Sequence, residues 1–204
     1  MTPWEIFYNK KIKKILTECK NVVDIGGGLR IDGDRGNRVE RKNSWMIPLA
    51  RKIDYKIMDP VPDYNPDIVG DIHNMPFGNN ELDGIICNAV LEHIENPFKA
   101  VSEMYRVLKP NGACFVYVPF LYYYHAQPGY YKDYWRYTKD SLKMLFKDFS
   151  VMEIQNVRGA LETWIYISPL GRVEFFAWLA RKGDILFKKM NSSQVSGYFI
   201  YLEK

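Results

Sequence analysis

The sequence predicts an α/β fold, a mostly parallel sheet with helices on both faces. Two observations carry this. Short β-branched runs alternate with helix-period segments up to about residue 120. The first of those runs stops at a glycine triplet, Gly26-Gly27-Gly28, as a buried strand does where it meets a ligand crevice. At 204 residues the chain is expected to form one domain, residues 1–204.

Each element has its own warrant. Thr2-Pro3-Trp4-Glu5 is a helix start, with Thr2 as cap and Glu5 closing a capping box. Ile6, Phe7, Ile12, Ile15 and Leu16 then mark one helical face as far as Lys20. Val22 to Ile25 is the first strand. The charged stretch 29–44 reads as a loop, followed by a helix over 44–53. Tyr55 to Asp59 is a second strand, closed by Pro60 and Pro62. Asp67 to Asp71 is a third and Leu82 to Asn88 a fourth. A helix from Pro97 to Leu108 ends at Lys109-Pro110-Asn111-Gly112. Ala113 to Val118 is the fifth strand, 140–146 a short helix, and 149–157 and 198–202 the last two strands. Residues 161–190 are rich in Trp and Phe and interrupted by Pro169 and Gly171. With 121–138 they are expected to form lid or substrate-side elements.

Composition narrows the function. Hydrophobic residues are 47% and charged residues 25%, which excludes a disordered chain. A net charge of +4, without a concentrated basic stripe, gives no case for a nucleic-acid partner. No apolar run is long enough to span a membrane. The N-terminal residues lack the apolar region of a signal peptide. Three widely spaced Cys make no disulfide framework or zinc knuckle, so a reducing, cytoplasmic setting is expected. Three scattered His give no metal-ligand spacing, and no metal is expected.

The glycine loop is not a generic nucleotide site. A dinucleotide fingerprint counted from Gly26 and Gly28 needs a third Gly where Ile31 stands, and the P-loop Lys-Ser/Thr pair is missing. A nicotinamide oxidoreductase is therefore disfavoured. The run Val22-Val23-Asp24-Ile25-Gly26-Gly27-Gly28 instead resembles the first motif of class I S-adenosylmethionine-dependent methyltransferases of the type 11-like family, and Asp133-Tyr134-Trp135-Arg136-Tyr137-Thr138 is similar to a segment of members found in glycan-biosynthesis clusters. Gly70 to Phe77, Leu82 to Pro97 and Val107 to Gly112 are similar to later segments of that family, in order, over about residues 20–120. The resemblance implies a Rossmann-like seven-stranded sheet and S-adenosyl-L-methionine as cofactor.

It also implies roles. Asp59, after the second strand, is expected on the ribose hydroxyls. Asp71 is expected on the adenine amine, with Ile72 against the ring. Asp24 is expected under Gly26, Gly27 and Gly28, holding the loop or the ammonium group, and Asn88 in the same crevice. Asp59 lies further past the glycine loop than is usual in the family, and the excess falls in 29–44. After strand five the chain reads PFLYYYHAQPGYYKDYWRYT. His125 is the candidate base, its pKa suited to neutral pH, and Asp133 the second. Tyr124, Tyr130, Trp135 and Arg136 are candidate acceptor-binding residues, since aromatic faces bind sugar rings and arginine holds anions. The expected activity is methyl transfer to a hydroxyl of a small-molecule or glycan-type acceptor. The alternatives are a non-catalytic cofactor-binding module and a membrane-peripheral lipid methyltransferase using 161–190.

Overall fold

The computed structural model describes residues 1–31 and 39–204. Its centre is a seven-stranded sheet in the order β3-β2-β1-β4-β5-β7-β6. The strands are β1 (Asn21–Ile25), β2 (Asp54–Asp59), β3 (Ile68–Val69), β4 (Leu82–Asn88), β5 (Leu108–Pro119), β6 (Val151–Val157) and β7 (Gly197–Glu203). The first five run parallel, and β7 is antiparallel to both β5 and β6. The helices are α1 (Pro3–Glu18), α2 (Ile47–Ala50), α3 (Pro97–Val107), α4 (Lys139–Leu145), α5 (Ala160–Ile167) and α6 (Glu174–Leu186).

Period-two alternation along the strands feeds two cores. Ala113 and Phe115 of β5 pack with Ile12, Ile15 and Leu16 of α1. Cys114, Val116 and Val118 join the other face, with Met104 and Val107 of α3 and Leu142 of α4. Helix α1 begins as its sequence requires. Thr2 Oγ1 accepts from Glu5 N at 3.3 Å while Glu5 Oε2 accepts from Thr2 N at 2.7 Å.

Several boundaries differ from the sequence reading. The third strand shrinks to two residues, because only Met58 and Asp59 of β2 have partners there. The helix expected over 44–53 is a 3-10 turn at Arg41–Met46 running into the four-residue α2, whose second position is Pro48. Strand β5 starts at Leu108, so the Pro/Gly turn becomes an irregular strand start, with Asn111 at a positive φ of 64°. Residues 32–38 of the charged loop expected over 29–44, including Asp32, Asp34, Arg35 and Arg38, lie outside the described residues, and its last part, 41–44, belongs to that 3-10 turn. Among the described residues no helix is long and apolar enough to cross a membrane.

Candidate active site

Strand β1 is paired on one side with β2 and on the other with β4. Strand order therefore reverses at β1, which places a crevice beyond its carboxyl end. A cleft of about 1150 Å³ opens there. Its walls include Gly26–Gly28, Asp59, Asp71, Ile72 and Asn88 on one side. The other side carries Tyr124 and the run 126–132, with Tyr134.

The glycine loop is held from beneath. Asp24 is fully buried and accepts from Gly28 N (3.1 Å), Leu29 N (3.0 Å) and the Tyr55 hydroxyl (2.6 Å). Burial pushes its carboxyl up to about 6 against those three donors. Asp24 is not among the cleft-lining residues, so its carboxylate holds the loop rather than an ammonium group. Gly26 and Gly27 have φ of 74° and 60°, a region that side chains disfavour. A Cβ on Gly28 would come within 2.7 Å of Asn88 O. Asn88 Nδ2 in turn donates to Gly28 O at 2.8 Å, locking the tip of β4 to the loop.

The two carboxylates expected at the cofactor both reach the cleft. Asp59 Oδ1 accepts from Val61 N at 2.8 Å, its only hydrogen bond among the described residues. Its other oxygen is free to accept, and partial burial raises its pKa. Asp71 caps the 3-10 turn Ile72–Asn74, accepting from His73 N at 2.9 Å and contacting His73 Nδ1 at 2.8 Å. Burial pulls its carboxyl upward, but the His73 contacts outweigh that and hold it below the usual value. Ile72 is buried and also lines the cleft. Asp54, at the opposite end of β2, is paired with Lys56 instead.

The segment after β5 is pinned onto the 3-10 turn Leu91–His93 that follows β4. Glu92 O accepts from Tyr134 N (2.8 Å) and Trp135 N (3.2 Å), Leu91 O from the Tyr137 hydroxyl (2.7 Å), and Ile94 O from Trp135 Nε1 (2.8 Å). Gln127 and Tyr131 exchange backbone bonds around Gly129, and Tyr130 stacks on Tyr64 at 5.3 Å across the cleft mouth. Tyr124 and Tyr130 thus line the cleft. Trp135 and Arg136 are not among its lining residues. Arg136 is occupied by Asp133, through Nη1 at 2.6 Å and Nη2 at 2.7 Å, and by the carbonyls of Tyr122 and Tyr123. Arg136, with help from the His125 N–H, pulls the Asp133 carboxyl down to about 2. The Asp133 side chain is wholly buried, so this placement gives it no role as a proton acceptor in the cleft.

His125 stands one layer behind the cleft. Its Nε2 is 3.8 Å from Glu92 Oε1, and that carboxylate raises its pKa. Its ring meets His93 edge-on at 4.8 Å, and His93 does line the cleft. Two of the three histidines scattered in sequence therefore converge: Glu92, His93 and His125 offer ligand atoms within 4.8 Å of one another. Sequence reasoning missed Glu92. Its position just past β4, between apolar Leu91 and Ile94, was the available signal.

Comparison with known proteins agrees with this architecture. Residues 51–116 match the family model described as a methyltransferase domain. A solved S-adenosylmethionine-dependent methyltransferase from Archaeoglobus fulgidus superposes with a TM-score of 0.59 at 15% identity, covering 100% of both chains. One from Thermotoga maritima gives 0.56 at 17% identity, covering 96% of this chain and 86% of that one. Phosphoethanolamine N-methyltransferase 2 of Haemonchus contortus, solved with S-adenosyl-L-methionine, gives 0.52 at 14% identity over 97% of this chain and 51% of that one. Among curated proteins, the biotin biosynthesis bifunctional protein BioHC of Teredinibacter turnerae is 43% identical over 44 residues. That stretch is 22% of this chain and 8% of that protein. The fold is the class I, Rossmann-like methyltransferase fold. Over residues 51–116, about a third of the chain, the sequence is thus similar to a methyltransferase domain, and Gly26–Gly28, Asp59 and Ile72 meet at one cleft.

Proposed function

We propose that the protein methylates a hydroxyl oxygen of a small, ring-bearing acceptor, a free metabolite or a glycan. The observation that carries this is one cleft with two unlike walls: glycine backbone and carboxylates at the strand tips, tyrosines and Lys132 opposite. S-adenosylmethionine, when bound, supplies an electrophilic methyl on a sulfonium. Asp59 accepts from the ribose diol, a charge-assisted bond. Asp71 and Ile72 take the adenine, and the side-chain-free backbone at Gly26–Gly28 admits the amino acid end. Tyr124 and Tyr130 present faces to a flat acceptor. His93, with His125 behind it, faces the acceptor hydroxyl from the cleft wall. Asp133 and Arg136 position His125, since Asp133 Oδ2 accepts from His125 N at 2.8 Å.

The test pairs calorimetry with S-adenosylmethionine and a turnover assay using labelled methyl donor and hydroxylated glycans. Binding with label transfer is expected. Binding without transfer to any acceptor would favour a non-catalytic module.

A second reading, methylation at a lipid surface, is favoured by α5 and α6. They expose Trp164, Phe175, Trp178, Leu179, Ile185 and Leu186, a broad apolar face. Tyr166 of α5 lies 5.7 Å from Tyr122, so this face adjoins the segment that walls the acceptor side. Within the hairpin, Asp184 of α6 ties the two helices together, accepting from Leu161 N (2.8 Å) and Glu162 N (2.9 Å) of α5. Flotation with phosphatidylglycerol vesicles is expected to carry the protein upward, and the double variant Phe175→Ser, Trp178→Ser to stay below. A wild-type protein that does not float but sediments as a dimer would assign the face to a second copy.

A further inference from the structure

We propose that Glu92, His93 and His125 bind one divalent transition-metal ion, through a carboxylate oxygen and the two Nε2 atoms. The inference starts from protons. His93 Nδ1 lies 2.7 Å from Lys132 O, and a carbonyl only accepts, so Nδ1 carries the hydrogen and Nε2 the lone pair. His125 Nδ1 lies 3.1 Å from Tyr123 O, which fixes the same tautomer. His125 Nε2 then points its lone pair at Glu92 Oε1, 3.8 Å away. With both rings neutral, the three residues offer ligand atoms within 4.8 Å of one another, and either a proton on His125 or a metal ion holds them together.

The carboxylate makes the same demand. Glu92 is 1% exposed, and its Oε2 has no hydrogen-bond partner among the described residues. A buried carboxylate with an orphaned oxygen is costly. The cation whose charge acts on Glu92, Arg136, is committed elsewhere. Arg136 is bound bidentate to Asp133, and its closest approach to His125 is 3.4 Å, on Nδ1 rather than Nε2.

Two imidazoles and one carboxylate form a donor set for zinc, iron(II), cobalt(II) or manganese(II). The carbonyls on both Nδ1 atoms orient the rings from behind, as outer-shell partners of metal-bound histidines do. Bonds of about 2.1 Å set ligand atoms roughly 3–3.5 Å apart, so binding draws the three inward by small side-chain rotations. His93 lines the cleft, so the remaining coordination positions open toward the acceptor. There the ion would polarise an acceptor hydroxyl. That last clause rests on the methyl-transfer reading; the metal site does not.

The test uses the full chain, stripped with chelator and checked for folding by circular dichroism, then titrated with zinc or cobalt chloride alone. One equivalent is expected to bind, with visible d–d absorption from cobalt. His93→Gln and the near-isosteric Glu92→Gln are each expected to weaken binding at least about 10-fold, and His73→Gln to leave it unchanged. The proposal is overturned if no stoichiometric binding occurs, or if both variants bind the ion as tightly as the wild type. It is equally overturned if nitrogen-15 spectra with excess zinc still show His125 protonated on Nε2, which would make the cluster a proton-held pair. Calorimetry with S-adenosylmethionine runs in parallel. Cofactor binding without metal binding removes this proposal and leaves the methyltransferase reading, and the reverse result does the opposite.

Discussion

The two walls of the cleft are built in different ways. The wall at the tips of β1, β2 and β4 is mostly backbone, with glycines at positive φ, one buried acid beneath them and an asparagine bolted to the loop. Its chemistry follows from where parallel strands end. The opposite wall comes from the long connection after β5, held by side chains: Asp133 on Arg136, tyrosines and a tryptophan on backbone carbonyls. The first wall would serve any reaction of one cofactor, whereas the second is free to change with the acceptor.

If that contrast is right, substitutions in the two walls will fail differently. The largest effect is expected from Asp133→Ala. It strips Arg136 of both its bonds to a buried carboxylate, which costs about 3–5 kcal/mol; urea denaturation measures it. Cofactor affinity, read by calorimetry on the folded fraction, should stay near wild type. Loss of both together would erase the distinction between the walls.

Next comes pH. Asp24 has a folded pKa of about 6, above its ordinary value of 3.8. The folded state therefore holds the extra proton between those values. The stability this contributes is complete below pH 3.8 and lost as pH rises through about 6. The shift corresponds to about 3 kcal/mol. Denaturation at pH 4 and pH 7, compared between wild type and Asp24→Asn, isolates it. The variant should lack that share of the pH dependence.

Asp59→Ala is expected to weaken S-adenosylmethionine binding by about 1.5–3 kcal/mol, the range for a charged hydrogen bond. Its melting temperature should barely move, because the carboxylate supports only Val61 N. Unchanged affinity would remove Asp59 from the cofactor wall. The smallest effect belongs to Tyr130→Ala, which deletes the stack on Tyr64. It should raise the acceptor KM by about 0.5–1.5 kcal/mol in binding terms and leave cofactor affinity alone.

The same contrast explains what could be read in advance. Val22 to Gly28 was legible because a β-branched run and a glycine triplet are local signals. Asp59 and Asp71 were legible because acids just past strand ends point to the crevice. The helix expected over 44–53 is instead the 3-10 turn Arg41–Met46 followed by Ile47–Ala50, a boundary that no local signal in the sequence marks. Arg136 was read as an anion binder, although Asp133 stood three residues before it, close enough to claim it. The meeting of Glu92, His93 and His125 was not legible, because it depends on how residues 120–138, the connection after β5, fold back over the turn that follows β4.

Helices α5 and α6 interrupt a pair of neighbouring strands. Val157 and Gly197 stand directly opposite each other in the ladder that joins β6 to β7. A tight reverse turn could therefore bridge them with the sheet registers intact, although Asn156 and Ser196 would lose bonds they now make near the junction. The hairpin is in this sense an exchangeable cassette. Its replacement would change the apolar surface beside the cleft while leaving the residues at the strand tips in place.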